Sequence, residues 1–550
     1  MNTDINVIIN GKKYSFAKGT SLLEVSKEFQ KDFRYPILAA YVDNELCELN
    51  YCLKKDAEVI FFDLTSRVGN RIYQKSLIFL LVAAFYSLHD GYTIKVCHSI
   101  DKALRVKSNY HFNEENLREL YQVMLKLVKD AIPISKIIVP KKEALSYYKS
   151  IGEEASYEAL KYARNSYIPL YQMGVACHNL YSIMPINTSY LTSFALTYVN
   201  ESEFILSFPV PSYYEEIPAY VKREKLLAAF NENYELSKRL NISYVPDLNE
   251  AVAKDWIKDV IRLDEAVANN RLFDLAKQIY ARKDELKVVL IAGPSSSGKT
   301  TMSRKLSLYL RAFGLNPKPL SIDDYFVERE KTPRLANGKY DFESIDAIDL
   351  SLFNQQLEQL LAGEEVFVPT FNFQKGIKEF LGNKIKLGEE DILIVEGLHA
   401  LNDSLTKNIP RERKFKLYVS PLTDLNIDNY NTISTSDVRL LRRIVRDNRT
   451  RGYRAIDTIK TWDTVRRGEE LYIFPYQDDL DYVYNSALTY EIGVLKTYAE
   501  PLLYQIDASS IYYEEVKRLL DFLALFVVIP SEYVPADSIL REFIGNSYFE

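Results

Sequence analysis

Cysteine is scarce: Cys47, Cys52, Cys97 and Cys177 are scattered over 550 positions. Such spacing excludes a disulfide framework and suits a reducing compartment. Long apolar runs are missing too. The longest, Leu77 to Tyr86, has about half the length a membrane span needs, and residues 1–20 lack the apolar core of a signal peptide. A cytoplasmic protein with no membrane partner is expected. Neither charge is in large excess. The net charge of -6 gives no global attraction to nucleic acid, so any RNA contact has to be local. Histidine occupies only five positions, none of them spaced His-x-x-x-His. What remains is ordinary core material, 47% hydrophobic against 26% charged. A chain this long exceeds one core and should divide into about three or four domains.

The strongest positive signal is KVVLIAGPSSSGKTT, Lys287 to Thr301. A β-branched and aliphatic strand opens into GxxxxGKT, and apolar residues at helical spacing follow from Met302 to Phe313. Gly293 and Gly298 let the loop turn its N–H groups inward around phosphate oxygens, with Ser295, Ser296, Ser297, Lys299, Thr300 and Thr301 completing the cradle. Lys299 is placed for the β- and γ-phosphates, and the Thr300 hydroxyl for Mg²⁺. A nucleoside triphosphate, ATP or GTP, is therefore the expected donor.

Further along, a strand ending near Ser321 and Ile322 delivers Asp323 and Asp324 to the carboxyl edge of a parallel sheet, the side on which such sheets bind ligands. Asp323 there can take a proton from an attacking hydroxyl, or the pair can simply cap a turn. The buried-strand pattern DILIV, Asp391 to Val395, ends at Glu396, a carboxylate placed for Mg²⁺ or its waters. Arg439, Arg442, Arg443 and Arg446 recur at one helical face and run on toward Arg451. Like charges so arranged repel unless anions lie between them. A solvated face balanced by acidic neighbours and an RNA-binding stripe are both open readings; the neighbouring phosphate loop favours a lid that closes on the triphosphate.

SIDDYF, YDFESIDAID, VPTFNF, ILIVEG and RDNRTRG, in that order over 286–525, resemble the uridine kinase and phosphoribulokinase family. The resemblance implies an ATP-dependent small-molecule kinase. It places Asp323 as general base for the ribose 5′-hydroxyl, Glu343 on the ribose diol, Phe371 and Phe373 in the nucleoside pocket, and Tyr325 and Arg439 near the substrate. Glu396 falls near Mg²⁺, and Arg446 and Arg451 in the lid. One position departs: the histidine that reads the pyrimidine corresponds to Gly376, which leaves the acceptor open between a nucleoside and another polyol or sugar phosphate.

Ahead of this, residues 5–64 carry an Asn10-Gly11 hairpin and a cappable helix from Leu22 to Phe29. With NGKKYSFAKGTSLLEVS they resemble the ubiquitin-like TGS domain of threonyl-tRNA synthetases. Residues 70–220 resemble the second additional domain of the same enzymes without its His-x-x-x-His and Cys-x-x-x-His metal pattern; Cys177 and His178 are adjacent. The expected layout is multidomain: a TGS-like α+β domain (1–65), a synthetase-like α+β domain (66–220), a helical connector (221–285), an α/β phosphate-loop kinase domain with a parallel sheet (286–525) and a C-terminal extension (526–550). A homo-oligomer is expected. A rival reading is a regulatory protein whose front half senses RNA or an amino acid and uses nucleotide as a switch.

Overall fold

The structure, a computed structural model, describes residues 4–100, 102–211, 214–335, 338–372 and 374–549. The chain begins with a hairpin that closes through Asn10 and Gly11, at φ 51° and 73°, the left-handed geometry a two-residue turn requires. Helix Leu22–Phe29 follows with reciprocal caps: Glu24 N–H donates to Ser21 Oγ at 3.2 Å and Ser21 N–H donates to the Glu24 carboxylate at 2.9 Å. It covers a mixed sheet of five strands, in the order Lys12–Ala17, Asp4–Ile9, Ala57–Phe62, Ala39–Val42, Glu45–Glu48.

The second unit is built around helix Arg67–Leu88. It starts well before the apolar stretch that betrays it, because Ser66 caps it by accepting the Gly69 N–H at 3.0 Å. Its middle is buried nearly all round, from Leu77 to Phe85, and it packs against two antiparallel sheets. Apart from His111, which is exposed, the histidines and cysteines of this unit are packing residues. His89 stacks on Tyr110 with ring centroids 3.8 Å apart, and His178 sits between Tyr148 and Tyr430. Among the described residues no group of three His, Cys, Asp or Glu side chains is gathered for a metal, and no helix is long and apolar enough to cross a membrane.

Helices Glu224–Leu240, Val245–Ala253 and Ile257–Ala281 connect this unit to the α/β domain. There five strands run parallel in the order Asn316–Ser321, Asp391–Glu396, Val288–Ala292, Lys414–Ser420, Tyr482–Asn485. The central strand is buried throughout, as its unbroken aliphatic run requires. The chain leaves Val288–Ala292 toward one edge of the sheet and Lys414–Ser420 toward the other, opening a crevice at their carboxyl ends. Beyond helix Tyr513–Ala524 the C-terminal extension returns to this domain and buries Leu540, Phe543 and Ile544 in the same core as Met302 and Leu306.

Candidate active site

The phosphate loop is shaped by close approaches that only glycine permits. A Cβ at Gly293 would run into the Val419 carbonyl oxygen, and Gly298 stands at φ +86° with the Ile539 side chain 2.5 Å from where its Cβ would be. The loop then enters helix Lys299–Ala312, whose N-cap residue, Gly298, has no side chain to cap its first N–H groups. The Lys299 ammonium folds over the loop and donates to the carbonyls of Gly293 and Pro294 at 2.9 and 3.2 Å.

Strand register brings the acidic groups to this loop. Glu396 pairs with Ile291 on one side and Ser321 on the other, so three adjacent strand ends set Glu396, the loop and Asp323 around one space. Thr300 Oγ1 lies 3.5 Å from both Glu396 oxygens. Burial pushes the Glu396 carboxyl up to about 7, with Lys299 opposing and Asp323 and Glu542 adding to the rise. Burial holds the Lys299 ammonium below its ordinary range, with Glu396 and Asp323 pulling it back. Asp323 reaches solvent in the crevice, but the protein massed around it raises its carboxyl, against Lys299, Arg451 and Arg446. Its neighbour Asp324 has a different task. It accepts the Phe371 N–H at 3.1 Å and fixes the short strand Thr370–Asn372. One carboxylate of the pair thus caps backbone while the other stays open.

Glu343 lies against helix Ala455–Tyr472 where Gly468 leaves no side chain; a Cβ there would collide with Glu343 Cβ. Burial raises its carboxyl to about 7, with Arg443 opposing. Two residues expected at the substrate are instead enclosed. Tyr325 is fully buried and donates to Gln356 Oε1 at 2.8 Å, because the chain leaves the strand through a 3₁₀ turn, Ile322–Tyr325, whose first and fourth residues share the buried face. Arg439 is 2% exposed and clamps Glu469, one contact at 2.9 Å, while a second nitrogen reaches the Ser295 carbonyl at 3.3 Å. Phe371 is buried beside Phe326; Phe373 lies outside the described residues.

The arginine stripe forms a regular helix, Thr435–Arg451, laid against the phosphate loop. Its repulsion is relieved by carboxylates of the same chain. Glu469 accepts Arg439 and Arg466, Glu491 accepts Arg442 at 2.6 Å, and buried Asp447 accepts Arg443 and Arg446 with Arg451 3.7 Å away. Glu469 also accepts the Ser295 N–H at 3.0 Å, and Arg443 donates to Ser295 Oγ at 2.9 Å. Arg446 and Arg451 are the members that approach Asp323. The sequence gives no signal for Glu469, Glu491 or Glu542, because each pairs with residues remote in the chain; Gly468, breaking a helical run, is the one that could have been found.

A divalent cation suits this site. A half-buried carboxyl facing a threonine hydroxyl, with a second carboxyl close by, is a hard-oxygen set that gains by holding positive charge. Thr300 and Glu396 would hold Mg²⁺, which when bound neutralises phosphate charge on the donor.

Residues 288–492 match the Phosphoribulokinase / Uridine kinase family. The uridine kinase of Bacillus pumilus is 31% identical over 172 residues, covering 31% of this chain and 72% of that protein. That of Lactobacillus helveticus is 28% identical over 172 residues, again 72% of its length. The N-terminal part is similar to threonine–tRNA ligases: that of Clostridium kluyveri is 24% identical over 168 residues, 30% of this chain but only 26% of the ligase. Among solved structures, a possible uridine kinase from Bacillus stearothermophilus aligns over 39% of this chain and 98% of its own, at 22% identity and a TM-score of 0.28.

Proposed function

Since the chain belongs to the phosphoribulokinase and uridine kinase family and is an ATP-dependent phosphotransferase acting on an alcohol, we propose that its acceptor is a nucleoside, phosphorylated at the ribose 5′-hydroxyl. The observation that carries this reading is Asp323. It is the open carboxylate at the loop, its carboxyl raised by the protein packed around it, while Asp324 is committed to backbone. Asp323 takes that proton as the oxygen attacks in line. Lys299 then compensates the charge of the transferring group, with Arg446 and Arg451 alongside. Glu343, wedged on Gly468, would accept hydrogen bonds from the ribose diol. The transfer is direct, with no phosphorylated enzyme.

A second reading rests on Gly376. The Arg329 side chain lies across it, with Cβ and Nε 2.8 and 2.9 Å from where a Cβ would stand, and Arg329 N–H donates to the Gly376 carbonyl at 2.9 Å. A guanidinium beside the position that would read a pyrimidine favours an acceptor with an anionic group, such as a sugar phosphate. Phosphotransfer from labelled ATP with Mg²⁺ to a panel of nucleosides and sugar phosphates separates the two. Turnover of uridine or cytidine supports the first. Turnover of sugar phosphates alone, lost in Arg329→Ala, supports the second.

A further inference from the structure

The C-terminal extension contributes a carboxylate to the phosphate loop. Glu542 Oε2 accepts the backbone N–H of Thr301 at 3.0 Å. Thr301 follows GxxxxGKT directly, and its N–H is one of those that such a loop offers to the α- and β-phosphates of its nucleotide. The same segment covers the loop from the other side, where Ile539 stands over Gly298. Glu542 is also close enough to Lys299 and Glu396 to act on both their charges.

This approach is built in. Arg449 donates to the carbonyls of Glu542 and Phe543 at 3.0 and 3.3 Å, Lys305 pairs with Asp537 at 3.0 Å, and the Arg442 guanidinium lies 4.9 Å from the Phe543 ring. Arg541 is turned inward and spends its guanidinium on carbonyls of its own segment, Ser531 at 2.9 Å and Val534 at 2.6 Å among them. Leu540 and Phe543 are fully buried. The backbone that presents Glu542 is therefore fixed on both sides, while the Glu542 side chain itself is only half-buried and can swing away.

We infer that Glu542 occupies the place of a nucleotide phosphate, so that the C-terminal segment competes with the donor for the loop. The inference rests on the loop holding the donor's phosphates. A carboxylate and a phosphate cannot share one N–H, and two anions this close repel, so nucleotide entry must displace Glu542. Anything that draws the segment aside then raises donor affinity, and the segment becomes a brake on the kinase.

The test is ADP affinity of the full chain with Mg²⁺, by calorimetry, for the unmodified protein and for Glu542→Gln, Glu542→Asp and Lys299→Ala. Gln removes the charge at constant shape; Asp keeps the charge but draws it back from Thr301. Both are expected to tighten ADP by roughly fivefold or more. Unchanged or weakened affinity in both would overturn the inference and make Glu542 structural or part of the nucleotide site. Lys299→Ala tests the premise separately: if it leaves ADP binding at full strength, the loop is not the phosphate site, whatever Glu542 does.

Discussion

At the scale of single residues, the site separates carboxylates by what each is bound to. Among the described residues no backbone N–H reaches the Asp323 carboxylate, which faces Lys299, Arg451 and Arg446, whereas Asp324 is spent on Phe371. Asp323→Asn keeps the shape and removes the base, so kcat should fall by about 10²- to 10⁴-fold while ADP affinity is little changed; near-full turnover would remove Asp323 from the chemistry. The pH dependence follows from Glu396 and Glu343, both raised to about 7 by burial. Their folded values lie above their unfolded ones. Their protonation therefore favours the folded state as pH falls below about 7, and that contribution is lost as pH rises through 7. Activity should run the other way, since a Glu396 that holds Mg²⁺ must be ionised to do so. With Mg²⁺ subsaturating, kcat/KM should drop about tenfold per pH unit on the acid side. Thermal stability of the nucleotide-free protein should meanwhile rise as pH falls from 7 toward 5. Glu396→Gln should flatten part of that stability slope, and an unchanged slope would assign it to other buried acids such as Asp264, also raised to about 7.

Among elements, the question is what holds the arginine helix Thr435–Arg451 to the loop. The periodicity of its arginines was legible in the sequence, as were the phosphate loop, the strand that carries Glu396 and the capped first helix. Their partners were not. Glu469 comes from helix Ala455–Tyr472 and Glu491 from helix Glu491–Leu503, and nothing local marks either as a counter-charge. A spacing of three and four shows which side chains share a face, but not what is packed on it. The same limit hid Tyr325 and Arg439, which a motif assigns to the substrate and tertiary packing encloses. Helix Ala455–Tyr472 does two jobs one residue apart: Glu469 clamps Arg439 and the Ser295 N–H, and Gly468 makes room for Glu343. Gly468→Ala improves helix propensity by about 1 kcal/mol, yet it drives a methyl group into Glu343, and overpacking costs about 1–3 kcal/mol. The second effect should win. The variant should melt lower, and because Glu343 is displaced while the loop is not, KM for the acceptor should rise several-fold with ADP affinity preserved. Equal losses for donor and acceptor would mean that the helix moved as a whole and carried Glu469 with it.

Across the whole molecule, the front half and the α/β domain meet at the connection between strand Lys414–Ser420 and the arginine helix. Asn426 Nδ2 donates to the Val96 carbonyl at 2.8 Å, Val96 N–H donates to Asn429 at 2.8 Å, and Asn431 Nδ2 reaches the Asn179 carbonyl at 3.0 Å. Tyr430 goes furthest: it is completely buried among the core side chains of the front half, with its hydroxyl on Glu153 and Tyr86. The ion pair Arg71–Glu515 at 2.8 Å ties the front half to helix Tyr513–Ala524, and Arg518–Asp437 at 2.7 Å ties that helix in turn to the first turn of the arginine helix. The front half thus grips the base of the element whose later turns hold the phosphate loop. Two substitutions at one position show which force matters. Tyr430→Phe deletes only the hydroxyl and leaves Glu153 and Tyr86 to pair with each other, at a cost of about 1–2 kcal/mol. Tyr430→Ala empties a ring-sized space in the junction and should cost about 3–5 kcal/mol. If packing couples the halves, the unmodified chain and Tyr430→Phe unfold in one thermal transition. Tyr430→Ala should then split it in two, with the α/β transition still shifted upward by ADP and the other unmoved. A single transition in all three proteins would place the coupling in the ion pairs of Glu515 instead, and Arg71→Ala would then be the substitution that divides the molecule.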